Sequence, residues 1–161
     1  MPSVLFVCSR NSGKSQMAAA LLRSRSGGRV DVYSAGTRPG PAVNEEARAS
    51  LARLGVVLGN ERPTLLDPEL LADVDRVVVL GYEAVVAPVP GMKGTIEAWH
   101  LDEPSAHGIQ GETRMDLIRD ELDDRVAGLI KELGVEDLQI DEEEDEPTVV
   151  ITPSSRCRSG S

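Results

Sequence analysis

The chain has 161 residues, a length that suits one domain with a workable core, and a formal net charge of −10. That negative balance, with only four aromatic residues (Phe6, Tyr33, Tyr82 and Trp99), argues against a nucleic-acid surface, which needs basic patches and stacking rings. No apolar run is long enough to span a membrane, and the short apolar start lacks the basic leader of a signal peptide.

Residues 4–7 (Val-Leu-Phe-Val) read as a short buried strand, and residues 16–25 as an Ala/Leu-rich helix that Gly27-Gly28 ends. Between them lies the polar loop Cys8-Ser9-Arg10-Asn11-Ser12-Gly13-Lys14-Ser15. Residues 30–34 alternate apolar and polar as a second strand that meets Ala35-Gly36. Arg38-Pro39-Gly40-Pro41 forms a rigid loop. Asn44 caps a helix running to about Leu54, with Gly55 as its stop; Asp67 and Pro68 open another short helix. Residues 75–80 are apolar enough for a central third strand, residues 88–94 form a loop, and residues 95–101 suit an edge strand. A final amphipathic helix spans about 112–133, before Gly134. Strands alternating with helices predict an α/β fold: a three-layer α/β/α domain with a four-stranded parallel sheet, over residues 1–138. Residues 136–146 hold eight acids and no base, so residues 139–161 read as an acidic, flexible C-terminal tail.

The first loop carries the chemistry. Only a thiolate is a good nucleophile, and a free thiol ionises near about pH 8.5. A helix N-terminus offers unpaired N–H groups and a partial positive charge, which favour the thiolate and bind an oxyanion. Ser9, Arg10, Asn11, Ser12, Gly13 and Lys14 are the candidate oxyanion-binding residues, with Cys8 at the loop's floor. Gly13 permits a tight backbone turn, and Asn11 tolerates a left-handed conformation or bonds to neighbouring loop groups. Ser15 is placed to donate to the Cys8 sulfur, and Lys14 adds a full positive charge. Gly13-Lys14-Ser15 also match the end of the nucleotide-binding motif G-x-x-x-x-G-K-S, but Cys8 stands where that motif requires its first Gly.

Ligands of open parallel sheets bind beyond the carboxyl ends of the strands. Cys8, Ala35-Gly36-Thr37, Gly81 and Leu101-Asp102-Glu103-Pro104 all lie at such ends. Asp102 is the candidate general acid, or else the cap of a turn before Pro104. Arg10 and Arg38 either attract anions or serve as solvated surface charges. His100 and His107 lack the pattern of a metal site. With only Cys8 and Cys157, far apart in sequence, neither a disulfide scaffold nor a zinc site is expected, and a reducing cytoplasm fits best.

These residues resemble a known family. The run Val4 to Met17, Val-Leu-Phe-Val-Cys-x-x-Asn-x-x-Lys-Ser-Gln-Met, is similar to the low-molecular-weight protein tyrosine phosphatases, as are Ser34-Ala35-Gly36-Thr37, Asp102-Glu103-Pro104 and Ile118-Arg119-Asp120-Glu121-Leu122. The resemblance covers about residues 3–134. Two departures stand out: phosphatases of this fold carry Cys-x5-Arg where this chain has Cys-x5-Lys, and their Asp-Pro becomes Asp-Glu-Pro. Arg grips an oxyanion with a planar fork, whereas Lys is a point charge. With Gly94-Thr95, Trp99, Ser105 and Gly108-Ile109, both departures resemble the actinobacterial arsenate–mycothiol transferases, arsenate reductases on the same fold.

That resemblance implies an arsenate reductase with Cys8, Lys14, Ser15 and Asp102 as catalytic residues and no tightly bound cofactor or metal. Cys8 would assist arsenate activation, and Asp102 would protonate a departing oxygen. Mycothiol, as co-substrate, would take the arsenic, and a mycoredoxin-type glutaredoxin would reduce the conjugate to arsenite. Relatives coupled to thioredoxin relay oxidation through two further cysteines near position 80–90; residues 81–90 here contain none, and Cys157 is the only other thiol. Two competing functions remain open on the residues alone: a phosphotyrosine phosphatase, and a non-catalytic oxyanion sensor with the tail as a partner-binding arm.

Overall fold

The computed structural model describes residues 1–138. The expected acidic tail, with Cys157, lies outside them. Four parallel strands form one sheet: β1 (Ser3–Cys8), β2 (Asp31–Gly36), β3 (Arg76–Leu80) and β4 (Thr95–Trp99), in the order β2-β1-β3-β4. Five helical segments accompany them: α1 (Lys14–Ser26), α2 (Glu45–Arg53), α3 (Pro68–Asp73), the 3₁₀ turn Pro104–His107, and α4 (Gly111–Glu132). The three-layer α/β/α reading therefore holds, with β4 at the sheet edge.

The strand order creates the site. The chain leaves β1 through α1 to β2 on one side, then returns through α2 and α3 to β3 on the other side. Connections that diverge from one strand open a crevice at its carboxyl end. Cys8 is the last residue of β1 and pairs with Gly36 of β2.

Alternation along the strands sorts the core into two layers. Val4, Phe6 and Cys8 face α1, α2 and α4, where Met17, Leu21, Leu51, Ile118, Leu122 and Ile130 pack against them. Leu5 and Val7 face Leu71, Val74 and Ala84 on the opposite side. Helix α1 lies against β1, β2, α2 and α4, and its Ala18-Ala19-Ala20 run is small enough to be buried there. Met115, Ile118, Leu122, Val126 and Leu129 recur at helical spacing as the buried stripe of α4.

The caps behave as the sequence predicts. Asn44 Oδ1 accepts from the Glu46 and Ala47 N–H groups, and Asp67 accepts from Glu69 N–H. Gly27 ends α1 in the left-handed conformation, donating to Arg23 O. The difference lies at the start of α1, which begins at Lys14 rather than residue 16. Two polar residues that look like loop in one dimension already have helical geometry, so Lys14 and Ser15 form the helix's first turn.

Candidate active site

The loop between β1 and α1 is held from outside, and all of its carbonyls are spent on that. Cys8 O accepts from Thr37 N (3.2 Å), Ser9 O from Arg38 N (2.8 Å), and Arg10 O from Gly40 N (2.9 Å). Ser12 O accepts from Asn44 N (2.7 Å) and Gly13 O from Met17 N (2.9 Å). Asn11 O accepts from Gln16 Nε2 (3.1 Å). With six successive carbonyls turned outward, the peptide N–H groups are left for the inside of the loop. Helix α1 has no side-chain N-cap and no acid in its first turn, so its positive end stays open to an anion.

Asn11 is the pivot. It is the one non-glycine residue with positive φ (53°) among the described residues, and it is fully buried. Its Oδ1 accepts from Thr64 N (2.8 Å) and Gln16 Nε2 (3.3 Å), which fixes its amide so that Nδ2 donates to Ser15 Oγ (2.7 Å). The Ser15 hydroxyl, which accepts from Asn11, lies 2.9 Å from Cys8 Sγ and donates to it when the sulfur is a thiolate. The Asn11 N–H also donates to Cys8 Sγ (3.1 Å). Two donors thus converge on a sulfur that is only 8% exposed. Gln16, fully buried, also donates to Arg62 O (3.1 Å), tying this network to residues 62–64 beside the end of β2. Gly36 is there because nothing larger fits: a Cβ would lie 2.7 Å from Ser9 O.

Above the sulfur lies a cavity of about 480 Å³. Cys8, Ser9, Arg10, Ser12, Gly13 and Lys14 form its floor, so every predicted oxyanion-binding residue except buried Asn11 lines it. Asn11 and Ser15 act from below, through the sulfur. The walls come from Asn44, Tyr82, Glu83, Glu103, Arg114 and Met115. Tyr82 stands at the rim, its ring stacked on His100 with centroids 4.2 Å apart.

Asp102 lies apart from this cavity. It is well exposed and lines a separate pocket with His107, Ile109, Leu117 and Glu121; its Oδ1 lies 3.5 Å from His107 Nε2. The structure does not bring it to Cys8. The neighbouring residue, Glu103, faces the cavity instead. The 3₁₀ turn at Pro104–His107 and helix α4 set this choice. Glu103 caps the turn by accepting from Ser105 N (3.0 Å), and the Arg114 fork grips both its oxygens (2.7 and 2.8 Å). Arg114 hydrogen bonding holds the Glu103 carboxyl well below its usual range, at about 2, with the Ser105 bonds adding to the effect. Sequence reading missed Glu103 and Arg114. The one available signal was that Glu103, not Asp102, directly precedes Pro104.

Arg10 reaches the cavity and, with Arg38, an adjoining open groove. His100 and His107 do not meet. Among the described residues no three His, Cys, Asp or Glu side chains converge on a metal site, and no helix is long and apolar enough to cross a membrane.

Comparison with known proteins agrees with this geometry. Residues 3–139 match the family described as low molecular weight phosphotyrosine protein phosphatase. An arsenate reductase of Halalkalibacterium halodurans is 34% identical over 128 residues, covering 76% of this chain and 91% of that protein. A glutaredoxin arsenate reductase of Synechocystis is 26% identical over 135 residues, covering 83% of this chain and all of that protein. Among solved structures, the thioredoxin-dependent arsenate reductase of Corynebacterium glutamicum superposes with a TM-score of 0.70 at 30% identity. The match spans 83% of this chain but only 62% of that one. With its parallel sheet, its Cys8 loop and this match over most of its length, the chain belongs to the low molecular weight phosphotyrosine protein phosphatase family.

Proposed function

We propose that the protein is an arsenate reductase that passes arsenic to an external low-molecular-weight thiol, mycothiol, as an arsenate–mycothiol transferase. The observation that carries this reading is the loop itself: six outward carbonyls, a sulfur facing two donors, and Lys14 in place of a forked Arg. Arsenate has the shape and charge of phosphate, so a cradle of N–H groups at a helix N-terminus suits it. Absence of cysteine between residues 81 and 90 supports an external thiol over an internal relay. The relatives named for arsenate reduction support the substrate; the one named for glutaredoxin supports a redoxin of that type, here a mycoredoxin, as the reductant.

In the first step the Cys8 thiolate attacks arsenic. A sulfur–arsenic bond forms, the bond from arsenic to its hydroxyl breaks, and that hydroxyl leaves as water after receiving one proton. Glu103 lines the cavity and Asp102 does not, which supports Glu103 as the donor once its clamp to Arg114 is released. The thiolate of mycothiol then attacks the same arsenic and displaces Cys8. Last, a redoxin thiolate attacks the mycothiol sulfur; the sulfur–arsenic bond breaks with its electron pair on arsenic, giving arsenite and a mixed disulfide. Such thiol chemistry fits a reducing cytoplasm.

Phosphomonoester hydrolysis is the second reading, favoured by Tyr82, which offers an aromatic wall at the cavity rim. One assay separates the two. Arsenate, mycothiol and a mycoredoxin should give turnover that Cys8→Ser abolishes. Rapid p-nitrophenyl phosphate hydrolysis without arsenate turnover would instead establish the phosphatase.

A further inference from the structure

We infer that Arg114 is a second ligand for the bound oxyanion, held in reserve by Glu103, and that oxyanion arrival exchanges Arg114 from the Glu103 carboxylate to the substrate, releasing Glu103 to act as the acid. The inference deepens the proposed function and rests on the oxyanion reading of the Cys8 loop.

Lys14 leaves the loop with a deficit. It gives a point charge without the paired donors that match a tetrahedral oxyanion. Two planar forks line the same cavity: Arg10 in the loop and, from the first turn of α4, Arg114. In the structure the Arg114 fork is occupied by the Glu103 carboxylate, through Nε to Oε2 at 2.7 Å and Nη2 to Oε1 at 2.8 Å. A carboxylate and a tetraoxo anion present the same pair of oxygens to a guanidinium, so one substitutes for the other.

Glu103 has its own difficulty. With both oxygens on Arg114 and one also on Ser105 N–H, three donors hold it in its ionised form. Its strongly lowered pKa agrees with this geometry. Clamped in this way it cannot be a proton donor. The charged groups that line the cavity with it are Lys14, Arg10, Glu83 and Arg114, and Glu46 acts on Arg114. Moving Arg114 onto an anion takes from Glu103 the cation that lowers its pKa and brings a negative charge into the same cavity, both of which favour protonation. Glu103 then takes a proton from solvent, gives it to the departing oxygen, and returns as a carboxylate to Arg114.

Carboxyl-detected NMR on the full chain tests the exchange. Without anion, Glu103 should stay ionised at about pH 4.5, the ordinary midpoint of a glutamate. With saturating arsenate or phosphate, it should be at least half protonated there. Calorimetry supplies the second arm. Arg114→Gln should weaken arsenate binding by about 10- to 100-fold, and Arg114→Lys by less. A Glu103 signal that titrates identically with and without anion would overturn the inference. So would an Arg114→Gln variant that only melts earlier while binding arsenate normally. If arsenate binds and Glu103 responds but no thiol supports turnover, the reductase reading falls and this one stands.

Discussion

Residues 8–13 and the segment from Asp102 to Gly108 meet at one cavity, but they are held in different ways. The first loop is anchored to its own scaffold at every carbonyl, with Asn11 and Ser15 buried beneath the sulfur. The second is a 3₁₀ turn closed by its own backbone bonds and seated on buried Pro104; its polar ties to α4 are the Glu103–Arg114 pair and the bond from Asp102 N–H to Glu121. The Cys8 loop is therefore preorganised, while on the proposed reading the proton donor, Glu103, is held by a contact that an anion can exchange. Preorganisation suits the group that must meet charge as it develops; an exchangeable contact suits one whose protonation must change.

Mutations on the two sides should differ accordingly. Cys8→Ser removes the nucleophile and should lower arsenate turnover by about 10³-fold or more, measured as arsenite release. Glu103→Gln keeps the shape but not the proton, and should cost about 10²-fold in kcat with a smaller change in arsenate KM. Asn11→Ala deletes the buried bonds to Ser15, Thr64 and Gln16, and should cost about 3 kcal/mol in denaturant unfolding, together with activity. Asp102→Asn, by contrast, should change turnover by no more than about twofold, because its carboxylate is turned away from the cavity.

The ion pair also has a pH signature. The Glu103 carboxyl is depressed to about 2 in the folded protein, below its ordinary 4.5. Its contribution is therefore complete above about pH 4.5 and fades as pH falls toward 2. The melting-temperature gap between the natural protein and Glu103→Gln should narrow over that interval and stay constant above it.

Much of the first region was legible in the sequence, because its determinants are neighbours in the chain. Cys8, Asn11, Gly13 and Ser15 lie within eight residues, and an apolar strand followed by a helical run fixes where they sit. The caps Asn44 and Asp67 were legible for the same local reason. The second region was not. Whether Asp102 or Glu103 turns inward depends on Arg114, which reads in sequence as one more surface charge on an amphipathic helix. Likewise, nothing local signals that Thr64, 53 residues from Asn11, orients the Asn11 amide. Such contacts belong to the packed fold.

On the proposed reading, the N–H groups of the Cys8 loop hold the oxyanion. Arsenate titration of the full-length ¹⁵N-labelled protein, followed through the backbone amides, tests it directly. The amides of residues 9–15 should shift together with one midpoint, and phosphate should compete. Saturable arsenate binding that leaves those amides unmoved would contradict it.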